Sequence, residues 1–554
     1  VVQSFGPLTI GQAARLDITL QVGALTQSVS VTAKTPLVDA ENGTMGSVVN
    51  RTSIESLPLN GRDPYGLMSL VANVNFTGST FLDYSGFNTN TVSINGGQSG
   101  SNEFLIDGAP TNSLQENEPV ISPNTSMVEE FRILTNSPQA EYGPTGGGVI
   151  SMVTRSGTNQ LHGNAYEFVR NDAFDANTWA NNRLGLGKPV LRYNQFGGSL
   201  GGPIVIPKLY HGENKTFFFA NYETTLDNTS ATNLTQVPTP AELGGDFSHT
   251  FIKDPTTKQI VPVQLYDPQT TRPNPNGTGY IRDLFPGARI PSTQLDPVAL
   301  NASQYYPAPN RAPSDITGAN NYSSTPAVPK TVHEFLGRVD HQFTESNRLF
   351  LRDIIIWENA TGNPPEFSEA NVGDPQYASS TSQNWQFVAG DTDTLSSTTI
   401  NEFRFSMIRE ALRSSVPSYG LGLPQKLGLP ADYPGFLFPQ FNISGMSGIG
   451  NRPDKLANRS QTTGVLSDTL TKVWGAHSLK FGVDLRHEYN NNFQPGAISG
   501  SFSFGSAQSG NPQNPEATGF GYASFLLGAV GSGSLTSPYT PANAVHYYAG
   551  FVAG

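Results

Sequence analysis

The sequence predicts a mainly β protein: a compact α+β unit followed by about ten strands of a transmembrane antiparallel β-barrel. Three observations predict it. Charged residues make up 14% of the chain, against roughly 25% in a typical soluble domain. Gly, Pro, Asn, Ser and Thr fill the difference, and these make turns and exposed polar strands while disfavouring long helices. From Leu161 onward, apolar and polar residues alternate with period two in runs that come in pairs, with short connections within pairs and long ones between them.

Length and charge narrow the alternatives. At 554 residues the chain is too long for one ordinary core. The 32 Phe and 20 Tyr argue against disorder over most of it. A net charge of −12 speaks against a phosphate-binding surface, so nucleic-acid binding is set aside. Without cysteine there are no disulfides, thiolate metal sites or Cys nucleophiles, and eight scattered His offer little to a metal. No apolar run approaches the roughly 20 residues of a membrane helix; "FLLGAV" at 525–530 is far too short.

Taken in order, residues 1–33 hold "RLDITLQV" and "QSVSVTA", two alternating strands expected to be the tail of an upstream β-sandwich, since a lone pair is not a stable sheet. Residues 34–158 mix helix and strand. "TSIESLPLNGRDPYGLMSLV" suits short helices capped by Thr or Ser and interrupted by Pro58 and Pro64, and "TVSINGG", "NEFLIDG", "EEFRILT" and "GGGVISMVTR" read as strands. Residues 159–554 are the partial barrel, with long loops expected at 225–330, 357–381, 410–460 and 490–544. Short turns at one end and long loops at the other are the rule in outer-membrane barrels. The chain begins at Val1 without Met and stops inside a strand pattern, so it is expected to be a fragment whose missing targeting signals carry no weight.

The stretch "SLKFGVDLRHE" at 478–488 shows what alternation implies. Leu479, Phe481, Val483 and Leu485 are expected to face lipid, and Lys480, Asp484 and Arg486 a wet lumen. A soluble antiparallel sandwich would alternate for the same geometric reason; the asymmetry of turn and loop lengths favours the membrane.

Three stretches resemble a known family: "SVSVTAKTPLVDAENGTMGSVVNRTSIESLPLNGRDP", "SINGGQSGSNEFLIDGAPTN" and "MVEEFRILTNSPQAEYGPTGGGVISMVTRSGTNQLHGNAYEF". They are similar to the plug and first barrel strand of TonB-dependent outer-membrane receptors, more narrowly the Oar-like subgroup, whose plug follows a carboxypeptidase-regulatory-like sandwich. "VPTPAELGGDFSHTFIKDPTTKQ" and "IPSTQLDPVALNASQYYPAPN" resemble that subgroup's first long loop. After residue 330 only the strand rhythm supports the likeness. The resemblance implies a barrel of about 22 strands around a folded plug, of which the about ten strands here would be the incomplete N-terminal part, in the outer membrane of a Gram-negative bacterium. It makes residues 34–158 the plug.

The resemblance also implies roles for particular residues. Ser28, Val29, Ser30, Val31, Thr32 and Ala33 resemble a TonB box, an extended segment that a TonB-type energy-transducing partner recruits by strand addition; equally, Val29 and Val31 could simply end the upstream sandwich. Asn95, Gly96, Gly97, Asn102, Asp107, Gly108, Gly146, Gly147 and Gly148 are expected as plug structure. The glycine triplet is read as a place where backbones approach closely or turn sharply, not as a phosphate cradle, because no G-K-[ST] follows. Among the loops, Tyr305 and Tyr306 are candidate ligand contacts, with carbohydrate, peptide or chelate as the open ligand classes.

Two motifs are decoys. Gly197 to Gly201 matches G-x-S-x-G, but a nucleophile elbow leads into a helix and here Gly202-Pro203 follows. His333-Glu334 begins like a zinc helix, but Gly337 stands where the second His belongs. No catalytic residue, metal or cofactor is therefore expected. The function expected is active import of a scarce or large ligand through a plugged barrel, with surface adhesion or a structural role on the same scaffold as the alternative.

Overall fold

The computed structural model describes residues 45–77, 91–136, 140–142, 146–230, 232–475, 477–537 and 543–553. The segment at 28–33 and the expected sandwich tail at 1–33 lie outside the described residues.

The first unit is built on a five-stranded sheet: β1 (Met45–Asn50), β2 (Glu103–Ile106), β3 (Ala109–Pro110), β4 (Val128–Asn136) and β5 (Val149–Thr154), in the order β1-β4-β5-β2-β3. Helix α1 (Arg51–Ser56) follows β1 directly. Its cap is Asn50, whose side chain accepts from the Ser53 amide at 3.0 Å, rather than the Thr or Ser expected. Pro64 does not interrupt a helix either. It occupies the first position of a 3₁₀ segment, Pro64–Leu70, capped by Asp63, where proline's missing N–H costs nothing. The core gathers Ile54, Tyr65, Met68, Phe104, Phe131 and Met152, with the Tyr65 ring edge-on to Phe104 and Phe131 at 5.5 and 6.2 Å.

The second unit is a ten-stranded sheet. Its strands are β6 (His162–Asn171), β7 (Leu191–Pro203), β8 (Thr216–Ser230), β9 (Ala327–Gln342), β10 (Asn347–Asn363), β11 (Ala378–Ser396), β12 (Thr399–Ser415), β13 (Ala457–Trp474), β14 (His477–Phe493) and β15 (Asn543–Ala553). Sequence neighbours are sheet neighbours throughout, and every pairing is antiparallel. At one end the connections are 204–215, 343–346, 397–398 and 475–476, at most twelve residues each; at the other they run 172–190, 231–326, 364–377, 416–456 and 494–542. Strands such as β11, with 19 residues, exceed the about 9–11 residues a tilted strand needs to cross a bilayer, so the sheet continues beyond the hydrocarbon layer. Among the described residues no helix is long and apolar enough to cross a membrane.

Alternation divides the sheet into two surfaces. Leu351, Phe403, Phe405, Leu466, Phe481 and Leu485 are exposed on the outer one. The inner one carries Glu223, Glu334, Arg352, Asn384, Gln386 and Ser406, all buried, because the first unit sits against it. Lys480 and Arg486 reach that unit from β14 while Leu485 stays exposed, matching the facing read from the sequence.

The long connections form a folded cap rather than separate loops. Phe247 and Tyr306, Phe367, Phe438 and Phe441, and Tyr522 and Phe525, drawn from the connections 231–326, 364–377, 416–456 and 494–542, share one buried cluster. Residues 440–443 pair in parallel with 501–504 inside this cap. The short apolar run at 525–530 begins in a buried helix, Gly521–Leu526, of the same core.

Candidate ligand passage between plug and barrel wall

Asp107 and Gly108 form the two-residue loop between β2 and β3, with φ of 53° and 74°. Asp-Gly suits such a hairpin because both positions need positive φ. The turn aims the Asp107 carboxylate at the barrel wall. Oδ1 accepts from the Thr154 amide and Oδ2 from the Thr154 hydroxyl, both at 2.9 Å. From the wall, Arg352 donates Nε to Oδ2 at 3.0 Å and Arg338 donates Nη1 to Oδ1 at 3.2 Å. Burial pushes the Asp107 carboxyl up, but Arg338, Arg352 and the Thr154 bonds outweigh it and hold it below the usual carboxylate range.

Arg352 is satisfied on all sides: it also donates to the carbonyls of Ile106 and Gln386 and to Gln386 Oε1, at 3.0 to 3.2 Å. Gln386 returns to the first unit through Pro110 O at 2.8 Å. Similar reaches recur around the wall. Arg62 pairs with Glu223 at 3.2 Å, Asn124 donates to Glu334 at 3.0 Å, and the Leu114 amide donates to Gln461 at 2.8 Å. Glu103 pairs with Arg486 at 3.4 Å and Glu141 with Lys480. Burial pushes the Glu103 carboxyl up despite Arg486.

Contacts are not uniform around the wall. Phe219 of β8, Val332 and Leu336 of β9, Ile354 and Ile356 of β10 and Ile408 of β12 join the apolar core of the first unit. Along β12 to β14 a cavity of about 400 Å³ separates the two, lined by Arg404, Ser406, Ser467, Thr469, Lys480 and Asp484 on one side and by Glu103, Asp107, Arg132 and Tyr142 on the other.

The glycine positions resolve into two kinds. A Cβ on Gly147 would stand 2.3 Å from Asn102 Oδ1, and one on Gly148 would stand 2.5 Å from Ile94 Cδ1 and 2.6 Å from the Leu134 carbonyl, so close approach dictates glycine there. At Gly146 the nearest such contact is an ordinary 3.6 Å. Asn102 ties the triplet down, accepting from the Gly148 amide at 3.0 Å and donating to Val92 O at 2.7 Å. Asn95 and Gly96 form a turn with φ of 52° and 72°, and the Gly97 amide closes it onto Ile94 O at 2.9 Å.

Tyr305 and Tyr306 lie in the cap. Tyr306 is buried there, its hydroxyl donating to the Ser447 carbonyl at 2.6 Å; Tyr305 sits edge-on to Phe438 at 5.0 Å. Both decoy motifs are strand: Gly197 to Gly201 runs inside β7, and His333 of β9 stacks against Tyr222 and Trp357 at 6.2 and 5.1 Å. Sequence reading did not single out Arg338, Arg352 or Arg404. Their signal was a charge on the inward face of an otherwise apolar strand, as in "LFLRDIII".

Comparison with known proteins gives this geometry its family. A profile described as "Outer membrane beta barrel domain" matches residues 153–553, and one described as "TonB-dependent Receptor Plug Domain" matches residues 40–150. The TonB-dependent transporter Oar of Myxococcus xanthus is 28% identical over 232 residues, 39% of this chain and 21% of that protein. A probable TonB-dependent siderophore receptor, PirA of Acinetobacter baumannii, is 27% identical over 169 residues, covering 27% of this chain and 22% of its own length. The matches therefore span only about a fifth of these relatives. Among solved structures, the outer membrane transporter YddB from Escherichia coli aligns over 91% of this chain and 52% of its own, with 9% identity and a TM-score of 0.49. The chain belongs to the TonB-dependent receptors of the Gram-negative outer membrane, with a plug domain followed by an outer-membrane β-barrel domain.

Proposed function

We propose that the full-length protein is an active importer in which the plug shifts to open a passage along β12 to β14. The supporting observation is the distribution of the plug contacts: toward β8, β9 and β10 ion pairs are backed by apolar packing of Phe219, Val332, Leu336, Ile354 and Ile356, whereas toward β12 to β14 that core takes in Ile408 alone and the ion pairs to Lys480 and Arg486 border a cavity of about 400 Å³. Polar contacts can be exchanged for water as a plug moves, whereas apolar contacts lose their whole burial energy. A TonB-type partner engaging residues 28–33 would supply the pull, and the ligand would be a carbohydrate, a peptide or a chelate held first by the cap. The relative from Acinetobacter baumannii is described as a siderophore receptor, which adds weight to a chelate. No bond chemistry is assigned, and the receptor is not read as an enzyme.

A second reading, surface adhesion with a plug that never moves, draws on the cap, whose buried cores tie the connections 231–326, 364–377, 416–456 and 494–542 into one outward surface. One experiment separates them. Because the chain has no native cysteine, Glu103→Cys with Arg486→Cys can be bridged by a short reducible thiol crosslinker. Import predicts that energised ligand accumulation stops on crosslinking and returns on reduction. Accumulation that ignores the crosslink would overturn the moving plug along this wall.

A further inference from the structure

Among the cations lining the cavity beside β12 to β14, Arg404 stands apart. Arg338 is held by Asp107 at 3.2 Å and Asp340 at 2.9 Å, Lys480 by Glu141, and Arg486 by Asp484 at 2.9 Å and Glu103 at 3.4 Å. Arg132 also has a partner. Arg404 has no ion pair within 4.0 Å among the described residues, and its buried Nε finds no acceptor in the protein. Glu402, on the same lining, lies outside ion-pair distance of it.

The turn at Gly108 positions this side chain. The guanidinium lies over the bare Cα of Gly108: a Cβ there would stand 2.7 Å from Cζ and 2.9 Å from both terminal nitrogens. Glycine at this position thus serves the left-handed turn, with φ of 74°, and also makes room for the guanidinium. A planar fork of N–H donors is held against a roomy polar cavity with its acceptors unassigned.

A guanidinium fork matches carboxylate or phosphate oxygens two at a time. The cavity, at about 400 Å³, lies within the roughly 300–1,000 Å³ range of small-ligand sites. Arg404 is six residues into β12, counted from the short-turn end at Thr399, so the site lies in the half of the lumen opposite the cap. We infer that this cavity binds an oxyanion group, carboxylate or phosphate, with Arg404 as its anchor. In the import reading, on which only its purpose rests, the site is a stopping point for an anionic cargo group after it leaves the cap.

The test is calorimetry on the full-length protein in detergent at low ionic strength, with inorganic phosphate and citrate as probes and chloride as the control anion. Saturable binding of either probe is expected, weakened at least about tenfold in Arg404→Gln, the loss of one charge-assisted fork. Arg404→Lys should retain part of it, since the charge remains but the fork does not, and Arg272→Gln on the cap should change nothing. Binding of phosphate alone assigns the site to phosphate groups, and binding of citrate alone to carboxylates. Absence of binding for both probes, or Arg404→Gln binding like the wild type, overturns the site. If Arg404→Gln fails to fold, the Lys variant carries the comparison: undiminished binding there overturns the fork. No proton gradient or partner is needed, so an empty titration beside intact uptake removes the site alone, and binding without uptake removes the import reading alone.

Discussion

Arg352 of the barrel wall and Asp107 of the plug, 245 positions apart in sequence, meet at 3.0 Å with the arginine side chain wholly buried. Removing one partner of such a pair leaves a charge without compensation in a low-dielectric site, at a cost of about 3–5 kcal/mol. Asp107→Asn should therefore loosen the plug, seen as new protease cleavage in the plug and a lower denaturant midpoint. Arg352→Gln should do the same, and the double variant should cost less than the sum. Strict additivity would show that the pair does not hold the plug.

The glycine triplet gives a sharper steric contrast. Gly148→Ala places a methyl 2.5 Å from Ile94 Cδ1 and 2.6 Å from a backbone carbonyl, and overpacking of this kind costs about 1–3 kcal/mol. Gly187→Ala, which meets nothing within 4 Å and has no positive φ, should be neutral or slightly stabilising. Equal denaturation midpoints for the two variants would contradict the close approach.

Glu118 of the plug carries a pH dependence. Burial, then the neighbouring Glu116 charge, pushes its carboxyl from 4.5 up to about 8, and its Oε2 has no hydrogen-bond partner in the protein. A carboxyl raised in the folded state favours folding while protonated, so its contribution is full below about pH 4.5 and is lost as pH rises through about 8. Glu118→Gln should flatten the fall in unfolding midpoint across that window and leave the variant the more stable at pH 9. A wild-type profile with the same slope as the variant would exclude the effect.

Leu485 lies midway along β14 on the exposed face. If that face meets lipid near the bilayer centre, Leu485→Arg should cost about 2–4 kcal/mol, while Leu485→Phe should be near neutral. Folding titrations into lipid vesicles read both; an arginine as harmless as phenylalanine would reverse the facing.

In the cap, Tyr306→Phe removes the bond to the Ser447 carbonyl and should cost about 1 kcal/mol. Unchanged ligand affinity is expected from a packing residue, and a loss of affinity without loss of cap stability would make Tyr306 a contact.

The strands were legible in the sequence because alternation is local: a residue's face depends only on its parity, so "SLKFGVDLRHEY" already separates Leu485 from Arg486. Asp-Gly at 107–108 was legible as a turn for the same reason, since φ preference belongs to the residue. The helix start was misassigned because Asn50, Thr52 and Ser53 are all able caps, and only the end of β1 decides which is used. Nothing local reveals that Asp107 meets Arg338 and Arg352, that Arg404 is left over, or that connections hundreds of residues apart share one core, because these follow from sheet register and from how the wall wraps the plug. The sequence by itself determined the class of the chain and the face of each strand residue. Tertiary structure alone decided which charges neutralise one another, because burial and ion pairing depend on distances between segments that the chain order does not contain.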